Sequence, residues 1–285
     1  MNSSNKPRFA FLGTPRFALF VLDELEKASL LPSLVITAKD KPTGRNQISA
    51  PSPVHTWAAK RNIAIKFADT KKEVEDALSS SELDVAVTAA FNVILTARAL
   101  SLPTHGVLNV HPSLLPEYRG PSPIQSALLA QDKETGCCVF VLDEKVDHGP
   151  ILACERFCIS DENYLQLEEA LGRRGGSLLA RVLAPYIAGE IIPQEQEHER
   201  ASYTKKFEID DGRLDLSNTD SAALLARVRA LNPEPGAYAV IKTRRGERRV
   251  KILDAIVTGG QFNPIRVIPE GKHEMSWDAF TRGNL

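Results

Sequence analysis

The chain has 285 residues, 43% of them hydrophobic and 25% charged, with a net charge of −1 at neutral pH. That length accommodates one large domain and a small one, and the composition excludes disordered and fibrous classes. No apolar run approaches the roughly 20 residues that span a bilayer, and the opening MNSSNKPRFAFLG lacks the core and cleavage site of a signal peptide, so a cytoplasmic protein with no membrane association is expected.

In chain order, residues 8–12 predict a short apolar strand, and the turn GTPRFA leads into an amphipathic helix over 17–27. Further strands are predicted at 33–38, 63–65, 84–88, 106–110, 137–142 and 151–159, with helices at 52–60, 72–79, 96–99 and 122–130 between them. This alternation predicts an α/β fold with a mostly parallel, doubly wound sheet, in which DVAVT is apolar enough to be buried on both faces. Residues 143–149 read as a hairpin at the sheet edge. One long helix covers 163–189, its leucines mostly on one face, and the polar run 191–200 reads as a linker. A second unit follows, with a helix at 221–231, the turn NPEPG and strands at 237–242 and 248–256. The expected organisation is a catalytic domain over 1–189, a linker over 190–205 and a small domain over 206–285.

The near-neutral total conceals an asymmetry. Residues 200–285 hold 15 Lys and Arg against 11 Asp and Glu, and six of those bases fall between Lys242 and Lys251. A basic appendix on an otherwise acidic chain suits a polyanionic partner, although a solvated hairpin would have the same charge pattern. The cysteines at 137, 138, 154 and 158 show no metal-ligand spacing and are expected to be buried free thiols.

The chemistry concentrates between Asn109 and Gly149. Asn109 and His111 stand two apart on a strand that breaks at Pro112, so both side chains share a face at the strand's carboxyl end, where open α/β sheets bind ligands. An amide N–H stabilises an oxyanion, an imidazole carries a proton, and the carboxylate of Asp147 can orient either the imidazole or a water. Each residue alone fits an ordinary structural role. Together they are what acyl or formyl transfer to an amine requires.

The stretch NVHPSLLPEYRG, followed by DHG at 147–149, closely resembles the core signature of the folate-dependent formyltransferases. The resemblance implies that Asn109, His111 and Asp147 carry the reaction. It also implies that Ser113, Leu114, Leu115 and Pro116 shape the folate cleft, with Arg119 and Gly120 on the acceptor side. AAFNVIL at 89–95 resembles the loop that wraps the pterin ring, so Ala90, Phe91, Asn92, Val93 and Ile94 would line it, largely through backbone groups. Asn92 replaces the family's usual glycine there and tolerates a left-handed backbone.

GTPRFA is not a GxGxxG dinucleotide turn. It resembles the first loop of the family's methionyl-tRNA branch, with Phe17 against the methionyl side chain, and it lacks the phosphate cradle of the glycinamide-ribotide branch. KPTGRNQISAPSPV at 41–54 resembles the insertion that meets the tRNA acceptor stem, with Arg45 as the remaining basic contact. YTKKFEIDDGRLDLS, LLARVRALNPEPGAY and PEGKHEMSWDAFTRG resemble the family's linker, barrel entry and ending. Only seven residues separate Ile256 from Pro264, where full-length members have several more strands.

The fold implied is a Rossmann-like formyltransferase domain followed by a small, shortened OB-like β domain. The activity implied is transfer of the formyl group of 10-formyltetrahydrofolate to the α-amine of methionine on initiator methionyl-tRNA, by a monomer, with no metal. The alternative is a formyltransferase acting on an amino-sugar nucleotide or other small amine, which the shortened barrel favours. An inactive enzyme fold kept for nucleic-acid binding is a third reading, disfavoured because all three reacting groups are present.

Overall fold

The computed structural model describes residues 6–43, 48–244 and 246–284. In chain order the elements are β1 (Phe9–Gly13), α1 (Arg16–Lys27), β2 (Leu34–Thr37), β3 (Lys41–Thr43), β4 (Ile48–Ala50), α2 (Pro53–Ala59), β5 (Ala64–Phe67), α3 (Lys71–Ser79), β6 (Val85–Ala89), α4 (Ala97–Ser101) and β7 (Val107–His111). Then come α5 (Pro123–Ala130), β8 (Glu134–Val141), β9 (Ile151–Cys158), α6 (Tyr164–Ile187), α7 (Ser221–Leu231), β10 (Tyr238–Thr243), β11 (Gly246–Thr258), β12 (Gln261–Pro269), β13 (Met275–Ser276) and α8 (Trp277–Asn284). No described helix is long and apolar enough to cross a membrane.

FAFLG and VAVTA are buried at every position, and they are the adjacent central strands β1 and β6 of a seven-stranded sheet ordered β5-β2-β1-β6-β7-β8-β9. Pairing is parallel from β5 through β7 and antiparallel between β7 and β8. A strand covered on both faces has no solvent side, which is why these two segments lack polar alternation. Helix α1 turns Phe17, Phe20, Val21, Leu22 and Leu25 into the core.

The chain divides into two compact units that are not contiguous in sequence. One comprises Met1–Arg119, Thr135–Cys158 and Glu168–Tyr203, and the other Gly120–Glu134, Ile159–Leu167 and Thr204–Leu285. The second unit contains a four-stranded antiparallel sheet, β10-β11-β12-β13, around Leu224, Val228, Val250, Ile252, Val267 and Phe280. Strands β12 and β13 and helix α8 go beyond the elements expected from the sequence. The turn that makes β12 possible is Gly259-Gly260, whose φ angles of 59° and 77° match the left-handed pair of a two-residue hairpin.

Helix α3 opens on a capping box. Thr70 Oγ1 accepts from the Glu73 N–H at 3.2 Å, and Glu73 Oε2 accepts from the Thr70 N–H at 3.0 Å. Lys39 Nζ donates to the same carboxylate at 2.6 Å; that bond first, then the Asp69 N–H, pulls the Glu73 pKa down to about 2. A carboxyl depressed in the folded state contributes stability that is present above its ordinary value of 4.5 and is lost as pH falls toward about 2. Glu73→Gln is therefore expected to lower the urea midpoint at pH 7, with the deficit closing as the pH is brought down through that window. Equal midpoints at pH 7 would contradict this.

Candidate active site

Register brings three loops to one edge. Gly13 pairs with Ala89 across β1 and β6, and Thr88 pairs with Asn109 across β6 and β7. The loops leaving β1, β6 and β7 therefore all emerge at the carboxyl edge of the parallel strands, where the strand order reverses around β1. These are the GTPRFA, AAFNVIL and HPSLLP segments singled out in the sequence.

Asn109 and His111 both face this edge. Thr88 Oγ1 lies 2.8 Å from Asn109 Oδ1 and 3.2 Å from the Leu108 carbonyl oxygen, and with its one proton turned toward these acceptors the Asn109 amide nitrogen is directed away from Thr88. That nitrogen has no hydrogen-bond partner among the described residues, so it is available to donate to a developing oxyanion. His111 is 5% exposed. Its Nε2 lies 3.0 Å from the Tyr118 carbonyl oxygen, which only accepts, so Nε2 carries the proton. The opposite nitrogen, Nδ1, then holds the free lone pair of the neutral ring and faces Asp147 Oδ2 at 3.7 Å. The pair can hold a proton on imidazole or pass one to a group that enters between them.

Asp147 lies in the turn between β8 and β9, with a left-handed φ of 47°. Two features shape this turn. Gly149 passes so close to β8 that a Cβ there would collide with the Val141 carbonyl oxygen. His148 donates through Nδ1 to Asp143 Oδ2 at 2.6 Å and stacks on His198 with ring centroids 4.0 Å apart. Desolvation, then the neighbouring His148 and Arg119, hold His198 below the ordinary imidazole pKa, with Glu195 opposing. His198 Nδ1 thereby stays free to accept from Arg119 Nη2 at 2.9 Å.

A family model for formyl transferase matches residues 7–183, and a second, for the formyl transferase C-terminal domain, matches residues 206–264. The chain belongs to the formyl transferase family. It is 40% identical over 234 residues to the methionyl-tRNA formyltransferase of Chloroflexus aurantiacus, covering 81% of this chain and 75% of that one. To the methionyl-tRNA formyltransferase of Thermus thermophilus it is 41% identical over 270 residues, covering 93% and 86%. Among solved structures, the N-formyltransferase from Helicobacter canadensis in complex with folinic acid and dTDP-3-aminofucose matches with a TM-score of 0.66 at 19% identity, covering 88% of each chain, a likeness of fold.

Other residues predicted for this formyl transferase sit as follows. Ala90, Asn92 and Ile94 are exposed in the loop after β6, while Phe91 and Val93 pack back against the core. The left-handed residue of that loop is Ala90, with φ 46°, and not Asn92, so the asparagine does not stand in for a glycine by backbone conformation. Ser113 is buried, and its Oγ donates to the Glu117 carbonyl at 2.7 Å; Leu115 packs with Cys138 and Phe140, and Leu114 and Pro116 are half-buried. Phe17 is 4% exposed at the start of α1.

Arg119, expected on the acceptor side, is buried. It is 1% exposed, and its guanidinium is bound by Gln196, His198 and Tyr203. Gly120 follows it with φ 107°. Arg45 lies outside the described residues. The expectation of four buried free thiols is also corrected: Cys138 and Cys154 form a disulfide across β8 and β9, and Cys158 is exposed. Cys137 alone of the four is a buried free thiol, and burial pushes its pKa up to about 12, so it stays protonated. Among the described residues no group of three or more His, Cys, Asp or Glu could hold a metal ion.

In the second unit, cross-strand register sets Tyr238 opposite Lys251, Val240 opposite Arg249 and Lys242 opposite Glu247, so Lys242, Arg249 and Lys251 share one face of the β10–β11 hairpin. The Arg249 guanidinium lies 3.6 Å from the Tyr238 ring centroid.

The turn that holds Asp147 gives a direct test. Gly149→Ala is expected to destabilise the protein by about 1–3 kcal/mol, through forced displacement of the turn from Val141. It should cost activity as well. An unchanged melting temperature in a thermal scan would contradict the close approach.

Proposed function

We propose that this formyl transferase moves the formyl group of 10-formyltetrahydrofolate to the α-amine of methionine on initiator methionyl-tRNA, as a cytoplasmic monomer that needs no metal. The observation that carries the reading is the convergence of an unpartnered amide nitrogen on Asn109, the Nδ1 lone pair of His111 and the Asp147 carboxylate. The choice of acceptor is supported by relatives about 40% identical over most of the chain that are methionyl-tRNA formyltransferases.

In this reaction the amine adds to the formyl carbon and negative charge develops on the formyl oxygen. Asn109 donates to that oxygen. His111 accepts the amine proton at Nδ1, and Asp147 stabilises the imidazolium that results. The proton then goes to the departing folate nitrogen, leaving tetrahydrofolate and the N-formylated amine. The exposed loop at Ala90–Ile94 presents backbone groups suited to a flat, polar ring, and the loop from Ser113 to Pro116 forms the second wall of the folate cleft. Phe17 lies by the methionyl side chain. Residues 1–189 would carry this chemistry, with 206–285 as an appended tRNA platform joined through 190–205.

Charge on that appended part suits the acceptor. Lys242, Arg249 and Lys251 on one face of a hairpin provide closely spaced cations for a phosphate backbone.

Formyl transfer is the first test. Charged initiator tRNA should be formylated and uncharged tRNA should not; transfer only to an amino-sugar nucleotide would replace the acceptor but keep the chemistry. Asn109→Ala, His111→Ala and Asp147→Ala should each lower kcat by about 100-fold or more, with circular dichroism unchanged. A near-native rate in any of them would remove that residue from the reaction. For the platform, Lys242→Ala and Lys251→Ala should each weaken tRNA binding. Each should also flatten the slope of log K against log salt by about one unit, the share of a single neutralised phosphate. An unchanged slope in both would place the tRNA elsewhere.

A further inference from the structure

Asp147 is held by a residue with no part in the chemistry just described. Gln196 belongs to the polar stretch after α6 and is 5% exposed. Its Nε2 donates to the Asp147 carbonyl at 2.9 Å and to the Gly149 carbonyl at 2.7 Å. Its Oε1 accepts from Arg119 Nε at 3.2 Å and from Arg119 Nη2 at 2.6 Å. Both amide protons and both lone pairs are engaged. Because the two carbonyls only accept and the guanidinium only donates, the amide has a single workable orientation.

The far side of this clamp is anchored too. Arg119 donates to Tyr203 Oη at 3.1 Å and to His198 Nδ1 at 2.9 Å, and its backbone N–H donates to the Ser202 carbonyl at 2.9 Å. Gln194 fixes the approach of the stretch, pairing with Ile151 at the start of β9. Asp147, by contrast, occupies a left-handed backbone conformation that costs a non-glycine residue energy and persists only where its surroundings enforce it. The two carbonyls that Gln196 grips belong to the residues on either side of His148 and set the planes of the Asp147–His148 and Gly149–Pro150 peptides. Those planes decide where the Asp147 carboxylate points. A displacement of about 1 Å in a reacting group can cost roughly 100-fold in rate.

We infer that Gln196, braced by Arg119, is a positioning residue for formyl transfer: its amide clamps the Asp147–Gly149 turn and aims the Asp147 carboxylate at His111. The inference rests on the role given to Asp147 above, and a readout independent of turnover separates the two.

Two variants of the full chain serve. Gln196→Leu removes all four bonds, while Gln196→Glu keeps an acceptor for Arg119 but turns an oxygen toward two carbonyls. Amide hydrogen exchange over residues 143–149 should quicken by about tenfold or more in Gln196→Leu, with the central strands unchanged. In the transfer assay both variants should lose about tenfold or more in kcat with each KM within about threefold of native. Added to Asp147→Ala, Gln196→Leu should change kcat by less than about twofold, because the residue it positions is gone. Native exchange across 143–149, a kcat loss fully additive with Asp147→Ala, or a native kcat in Gln196→Glu would each overturn the inference. Should Gln196→Leu fail to fold, Gln196→Glu provides both readouts. If the native chain transfers no formyl group, the functional reading falls, and exchange in the turn still decides whether the clamp exists.

Discussion

Parallel pairing of β6 with β7 in one register is the constraint on which the site depends. Thr88 stands opposite Asn109, and its hydroxyl lies 2.8 Å from the Asn109 amide oxygen. Because side chains alternate along a strand, a slip of one residue would send both Asn109 and His111 to the other face. The strand-order reversal at β1 leaves room at the carboxyl edge for the loops that follow.

His111 shows how a backbone group assigns chemical roles. The Tyr118 carbonyl takes the Nε2 proton, and Tyr118 itself has a left-handed φ of 59° within a loop whose backbone is tied to Ser202. With Nε2 committed, Nδ1 is the only ring nitrogen that can accept. At 3.7 Å the carboxylate is too far from Nδ1 for a direct hydrogen bond. Hydrogen bonds of a reacting set are often long before substrate enters and tighten around it. Through its Tyr118 carbonyl the SLLPEYR loop leaves Nδ1 as the accepting nitrogen, and in the proposed reaction the same loop would wall the folate cleft.

What the sequence makes legible follows from the range of each signal. Helix α7 has the predicted bounds 221–231, and the seven strands of the main sheet occur at the predicted places with ends shifted by a few residues, because hydrophobic period and turn residues are local properties. The spacing of Asn109 and His111 is likewise local. Arg119 reads as an acceptor-side residue only through the resemblance of its loop to the family's, and the distant Gln196, His198 and Tyr203 that bury it leave no local signal. Gln196 lies in a polar stretch with no periodicity, so nothing near it distinguishes it from a linker residue. The Cys138–Cys154 disulfide depends on the register in which β8 and β9 pair, which cysteine spacing does not encode. Strand β12 is different: it is absent from the expected elements although Gly259-Gly260 between β-rich runs is a local hairpin signal.

The second unit shows how a small sheet can stay folded with few strands. A sheet face left bare would expose a large apolar patch. Here Leu224 and Val228 of α7 and Phe280 of α8 pack on the inner residues Ala239, Val250, Ile252 and Val267. Asn232 ties helix to sheet through backbone groups at both ends, donating to the Val228 and Ile252 carbonyls at 2.9 Å and accepting from the Ala237 N–H at 3.2 Å. The NPEPG sequence is thus a junction whose buried polar groups are satisfied. Strand β13 is only two residues long, and such a short edge offers little for another chain to pair with. With the inner face covered and one edge blunted, the outer face of β10 and β11 needs no further strand packed on it. That leaves Lys242, Arg249 and Lys251 free to be selected for charge, which is the condition a phosphate-binding face has to meet.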